Sequence, residues 1–183
     1  MTDVSTLPFS RPLTRADLDD LPTDDGHRYE LIDGVLLVSP GPRHGHQTVV
    51  GNLYLLLRQA CPAGLQVLLA PFAVALADDT EVQPDLLVAP RSQFTDRELP
   101  GPPLLAVEVL SPSTRRVDQL LKRDRFEAAG VPSYWLVDPD EPSVLVLELR
   151  EGVYVEAASA RGPAGCDISS PFPVSIVPDR LLD

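Results

Sequence analysis

What this sequence lacks narrows it first. No apolar run approaches the roughly 20 residues that span a bilayer; the longest candidate, Leu65 to Ala77, is broken by Pro71. The opening Met1-Thr-Asp-Val-Ser-Thr-Leu-Pro has no basic region leading into an apolar stretch. No secretory signal is therefore expected, and the expected compartment is the cytoplasm. Cysteine is scarce. Cys61 and Cys166 have neither C-x-x-C spacing nor a histidine pair beside them, which argues against a thiolate metal site and, in a reducing compartment, against a disulfide. Positive charge is scarce too: acidic residues outnumber basic ones 27 to 15, for a net charge of −12. Phosphate recognition usually needs a basic footprint. Any nucleic-acid binding must then draw on a local basic strip, on metal ions or on a partner.

What is present is ordinary for a globular protein. With 183 residues, 44% hydrophobic and 23% charged, the chain suits one domain with a real core. We expect residues 1–183 to form that single domain, with a core of about 14–155 and a C-terminal extension at 158–183. Thr14-Arg-Ala-Asp17 resembles a capping box opening a brief helix that Pro22 ends. Arg28 to Ile32 and Val35 to Val38 flank Asp33-Gly34, the signature of a β-hairpin. His44 to Ala60 carries Val49, Val50, Leu53, Leu56 and Leu57 at helical spacing. Strands are expected at 66–70, 72–76, 84–89 and 104–110, with a polar loop at 90–103. A helix capped by Ser113 or Thr114 runs to about Ala129, with Gly130 as its C′ residue. Strands at 133–137, 144–149 and 153–155 follow, and the tail reads as loop until Val174. The order implies an α/β domain with a mixed central sheet flanked by helices, preceded by an N-terminal helix and hairpin. Tyr134 and Trp135 are expected in packing roles.

The chemically informative feature is acid inside apolar strands. Leu104 to Leu110 is apolar except for Glu108, which shares its face with Leu104, Ala106 and Leu110. A buried carboxylate is paired, protonated or metal-bound. Asp85 repeats the anomaly one strand earlier. On neighbouring strands, about 5 Å apart, the two would suit a hard divalent cation; a structural ion pair for Glu108 and a turn role for Asp85 are the alternatives. In the following helix Arg115, Asp118, Gln119, Lys122 and Arg125 share a face, with Val117, Leu120, Leu121 and Ala128 as the expected core side. Asp118 and Lys122 also read as an i,i+4 surface pair. His44 and His46 open the helix at 44–60. Arg115, Arg116, Lys122, Arg123 and Arg125 form the one dense basic cluster and are expected around the site, where a phosphate backbone would pass.

Gln83-Pro-Asp85-Leu, Val107-Glu-Val-Leu-Ser-Pro-Ser-Thr114, Asp118 with Lys122, and Gly130-Val-Pro-Ser-Tyr-Trp-Leu-Val-Asp138 resemble the Uma-two family of "putative restriction endonucleases". Tyr29-Glu-Leu-Ile-Asp-Gly34 and the stretch from Ser39-Pro to His46 fit the same pattern, so the resemblance spans roughly 14–155. It implies a restriction-endonuclease-like core of the PD-(D/E)XK superfamily and Mg²⁺-dependent hydrolysis of phosphodiester bonds, in DNA, with Mn²⁺ as a substitute. Asp85, Glu108 and Glu30 would be metal ligands and catalytic residues, Lys122 the catalytic lysine, and His46, Asp118 and Gln83 supporting residues. Arg115, Arg116, Arg123 and Arg125 would contact nucleic acid. Leu110 stands where the superfamily's lysine would fall; the resemblance implies that Lys122 takes over its role. The expected partners are DNA and a second copy of the chain. The competing expectation is an inactive nuclease-like fold kept as an interaction module.

Overall fold

The computed structural model describes residues 5–6, 11–22 and 25–183. In chain order, β1 (Ser5–Thr6) is followed by a 3₁₀ turn at Arg15–Asp20, β2 (His27–Ile32) and β3 (Val35–Pro40). Then come α1 (His44–Ala60), β4 (Leu65–Leu69), β5 (Ala73–Ala77), β6 (Thr80–Val82) and β7 (Leu86–Pro90). A short 3₁₀ turn leads to β8 (Glu98–Pro100) and β9 (Leu105–Val109); a π-helical segment, Val117–Lys122, runs straight into α2 (Arg123–Ala128). The chain closes with β10 (Ser133–Asp138), β11 (Ser143–Arg150), β12 (Val153–Arg161), β13 (Cys166–Ile168), β14 (Val174–Ile176) and a 3₁₀ turn at Pro178–Leu181.

Local chemistry explains most of these elements. Asp17's carboxylate accepts the Thr14 N–H at 2.7 Å and its hydroxyl at 3.0 Å, so the expected capping device is there, over a 3₁₀ turn rather than an α-helix. Asp33 and Gly34 both take positive φ, 53° and 73°, which is the two-residue turn that matches strand twist. Gly34 could not be replaced freely: a Cβ there would lie 2.8 Å from the Pro12 Cβ.

Two six-stranded mixed sheets make the frame. The first has the order β12-β11-β10-β9-β7-β4, with β9 and β10 parallel and the rest antiparallel. The second has the order β1-β3-β2-β6-β5-β8. The α/β class with a mixed central sheet agrees with the sequence reading, but the two faces of that sheet are covered differently. On one side Leu86, Val88, Leu105, Val107, Val109, Trp135 and Val137 pack against Val49, Leu53 and Leu57 of α1. On the other, Leu87, Ala89, Ala106, Tyr134 and Leu136 meet Ile32, Val74, Val82 and Leu99 of the second sheet and Phe126 of α2. A sheet therefore covers the face where helices were expected.

Two further expectations change. The 158–183 extension belongs to the main core: Ala160, Ile168, Phe172, Ile176 and Leu181 pack with α1 and the central sheet. Its prolines and glycines mark the turns of two added strands instead of a loose tail. The Val117–Lys122 segment turns the opposite way to the expectation, burying Asp118, Lys122 and Phe126 and leaving Leu120 57% and Leu121 46% exposed. Burial of an ammonium and a carboxylate in place of two leucines requires partners for both, and the opposite strands supply them.

Candidate active site

Asp85 immediately precedes β7, and the antiparallel register Leu86↔Val107 and Leu87↔Ala106 sets it opposite Glu108 of β9. The two acids share the parity of Leu87, Ala106 and Leu110, so both face the second sheet. The Val109 N–H donates to Asp85 Oδ2 at 2.8 Å, clamping the carboxylate to the neighbouring strand. From the second sheet, β2 brings Glu30 to the same place. From the helical side, Lys122 reaches in and is only 1% exposed.

Its ammonium lies 2.8 Å from Glu30 Oε1, 3.0 Å from Glu108 Oε1 and 3.7 Å from Asp118 Oδ1. The expected surface pair of Asp118 and Lys122 is thus a buried one. The π-helical turn is what makes it so, and the Tyr134 hydroxyl holds that turn against the sheet by donating to the Asp118 carbonyl at 2.8 Å. His46, in the first turn of α1, meets Asp85 Oδ2 through Nε2 at 3.1 Å. The Gln83 N–H donates to Glu30 Oε1 at 2.7 Å, and its side-chain amide donates to the Tyr29 carbonyl at 3.3 Å. The structure therefore brings together Asp85, Glu108, Glu30, Lys122, Asp118, His46 and Gln83.

It does not bring the arginine cluster. Arg115 pairs with Asp138, and Arg125 pairs with Asp33 at 3.2 Å. Arg116 is exposed, and the buried Arg123 Nε has no hydrogen-bond partner. None of the four lines the cleft of about 690 Å³ that opens on Asp85 and His46. The expectation that they ring the site is corrected here: the site-facing side of this helix is taken by Asp118 and Lys122, which turns the arginines outward. The cleft's basic residues are Arg28 and Arg43.

Arg28 is the residue that sequence reasoning missed. It donates to Asp85 Oδ1 at 3.1 Å and to the Gln83 carbonyl at 3.3 Å, and lies 3.7 Å from Glu30 Oε2. The signal was available, since Arg28 sits two residues before Glu30 on one face of a strand. A second unused signal is that Lys122 is the chain's only lysine.

Four buried carboxylates, Glu30, Asp85, Glu108 and Asp118, meet two permanent cations, Arg28 and Lys122. Burial pushes the Asp85 carboxyl up, but the His46 hydrogen bond and the Arg28 charge outweigh it and hold the group at about 2. Glu30 is likewise lowered, since Lys122, Arg28 and the Gln83 N–H overcome its burial. For Glu108, burial dominates. Lys122 pulls its pKa down, but Asp118, Asp85 and Glu30 repel a further charge, and it ends well above the usual carboxylate range. Burial raises Asp118 to about 6 against the attraction of Lys122. Burial disfavours the charged Lys122, yet Glu108, Glu30 and Asp118 together raise its pKa, so it stays an ammonium.

The family model described as "Putative restriction endonuclease" (Uma2) matches residues 15–177. The chain belongs to the Uma2 family. A structure that it resembles is the crystal structure of "a putative nuclease belonging to DUF820 from Anabaena variabilis ATCC 29413", at 20% identity and a TM-score of 0.70 over 87% of this chain and 90% of that one. A comparison with curated proteins finds no match. The Uma2 assignment makes this a nuclease-family chain on a nuclease-like fold, and its acidic cluster can be weighed as a metal centre. Among the described residues no three His, Cys, Asp or Glu side chains converge closely enough to hold a metal ion as they stand, because Lys122 lies between Glu30 and Glu108. The donors nevertheless suit one. They are hard carboxylate oxygens, they carry an excess of buried negative charge, and Asp118 Oδ1 has no hydrogen-bond partner.

Proposed function

We propose that this chain is a metal-dependent endonuclease that hydrolyses phosphodiester bonds in DNA, with Mg²⁺, or Mn²⁺ in its place, held by Asp85, Glu108 and Glu30. The observation that carries the reading is the ammonium of Lys122 buried among Glu30, Glu108 and Asp118 directly behind Asp85, at the foot of an open cleft. A structural ion pair does not call for four carboxylates, and such an excess is costly unless it serves to bind positive charge.

When bound, the metal would lower the pKa of a water and neutralise charge on the phosphate. Around it, His46 and the Val109 N–H fix the orientation of Asp85, and the Gln83 N–H fixes Glu30. Lys122 supplies an ammonium to orient the attacking water or stabilise the developing negative charge. The substrate's phosphates would enter between Arg43 and Arg28. The first turn of α1, which also lines that cleft, contains no acidic residue to repel them.

Nicking of supercoiled DNA in Mg²⁺, abolished by EDTA and by Asp85→Asn, tests the proposal. No nicking with either metal would sink it. The second reading, a nuclease-like interaction module, is favoured by the net charge of −12, and metal binding without cleavage would select it. The homodimer belongs to the proposal as well, with the exposed Leu120 and Leu121 as its support; sedimentation velocity is its test.

A further inference from the structure

The site contains its own competitor for the metal. We infer that a divalent cation must displace the Lys122 ammonium from Glu108, and that Asp118 is the positioning residue that receives it. This rests on the proposed metal site and goes beyond it in assigning Lys122 and Asp118 a linked movement.

The distances point to that division of labour. A lysine ammonium has three N–H donors and no acceptor. Two of Lys122's contacts are hydrogen-bond length, to Glu30 at 2.8 Å and to Glu108 at 3.0 Å. The third, to Asp118 Oδ1, is 3.7 Å, beyond hydrogen-bonding range. That same oxygen is buried without any hydrogen-bond partner in a residue 1% exposed. A buried, unsatisfied carboxylate oxygen is costly and rarely left so without a reason. Here it stands beside the one cation that could satisfy it.

Glu30 cannot play the same part. Its Oε1 already accepts from both the Gln83 N–H and Lys122, and its Oε2 faces Arg28. Asp118 is the carboxylate with spare capacity. Its backbone is fixed, since the Tyr134 hydroxyl holds its carbonyl and its N–H donates to the Thr114 carbonyl at 3.0 Å. Glu108 is the contact that must be given up, because it is the ligand opposite Asp85. A divalent ion carries twice the charge of an ammonium, so near-neutrality is reached only when it joins the cluster and Lys122 stays within it. Lys122 then remains beside the site as a donor after leaving Glu108.

Lys122 is the only lysine in the chain, so protein grown with lysine ¹³C-labelled at the ε carbon reports on this side chain alone. Titration of the wild-type protein with Mg²⁺ should shift that single resonance, saturating with the affinity measured by calorimetry. Lys122→Met, freed of the competitor, should bind Mg²⁺ about tenfold more tightly or more. Asp118→Asn should bind it several-fold more weakly, because the ammonium has lost its destination. The wild-type resonance needs no variant, so the test survives a Lys122→Met protein that fails to fold. A lysine resonance unmoved at saturating Mg²⁺, or Lys122→Met binding no more tightly than wild type, overturns the inference and leaves the nuclease reading standing. Absence of Mg²⁺ and Mn²⁺ binding in both proteins overturns the two together.

Discussion

The two faces of the central sheet are built to different ends. Towards α1, the strands present Leu86, Val88, Leu105, Val107, Val109, Trp135 and Val137 to an apolar helix face. The Trp135 indole donates to Ser133 Oγ at 2.9 Å. Among the described residues, every buried charged group of the central sheet, Asp85, Glu108 and Asp138, points the other way. That side carries acid and ammonium in the middle of Ala106, Tyr134 and Leu136. One face contributes stability through buried apolar area. The other gives some of it up, since an ion cluster packed in apolar surroundings is often less stabilising than hydrophobic residues of the same volume.

That contrast can be broken from either side. The largest effect is expected at Lys122. Lys122→Met strands three carboxylates and should cost about 3–5 kcal/mol without metal, read by urea unfolding in EDTA, and Mg²⁺ should recover much of it. An unchanged midpoint in EDTA would mean that the ammonium does not hold the cluster together. On the apolar face Leu53 is fully buried in α1. Leu53→Ala should cost about 3 kcal/mol while Mg²⁺-dependent cleavage by the folded protein persists; loss of cleavage in a protein that still unfolds cooperatively would show that the faces are not separable.

A smaller effect separates the faces by pH. Asp118 has a folded pKa of about 6, above its ordinary value of 3.8. A group that binds its proton more tightly when folded contributes stability below its unfolded pKa and loses that contribution as pH rises through the folded one. Between pH 6.5 and 4.5 the metal-free protein should therefore gain on the order of 2 kcal/mol from this group, and Asp118→Asn should flatten that slope. Asp85 works in the opposite sense, contributing stability above about 3.8 that is lost as pH falls towards 2, so it barely enters that window. Equal slopes in the two proteins would refute the role of Asp118. The smallest effect is expected at Glu108. Its raised pKa means that its charge is already disfavoured, so Glu108→Gln should be neutral or stabilising by up to about 1 kcal/mol in EDTA. A large loss would make Glu108 a structural partner of Lys122 and end its reading as a metal ligand.

Much of the polar face was legible because acid in an apolar strand is a strong anomaly. Period-2 alternation alone set Asp85 and Glu108 on one side of the sheet, and the Asp33-Gly34 turn fixed the hairpin that carries Glu30. The direction of the 117–128 helix was not legible. Leu120 and Leu121 looked like its core face because apolar residues usually are, and only the tertiary partners of Asp118 and Lys122 reverse that preference. The same reversal took Arg115 and Arg125 away from the cleft, onto Asp138 and Asp33. The C-terminal strands were missed because β13 and β14 are three residues each, too short for alternation to show, and their glycines and prolines resemble a loose tail. Arg28 went unremarked because arginine at the start of a hairpin strand is unexceptional until its neighbours are known.

The π-helical turn at Val117–Lys122 has a consequence for how this gene can change length. Such a turn is what a helix becomes when it takes in one residue more than α pitch allows. Removing any one residue between Val117 and Gln119, even from the side facing water, would let the segment relax to α pitch. Everything after it would swing by about 100° relative to what precedes it, and Lys122 could no longer face the sheet together with Asp118. Point changes at the exposed Leu120 and Leu121 should be borne easily. A deletion of Gln119 should leave a folded protein, visible by circular dichroism, in which the lone lysine has become reactive to amine reagents from solution.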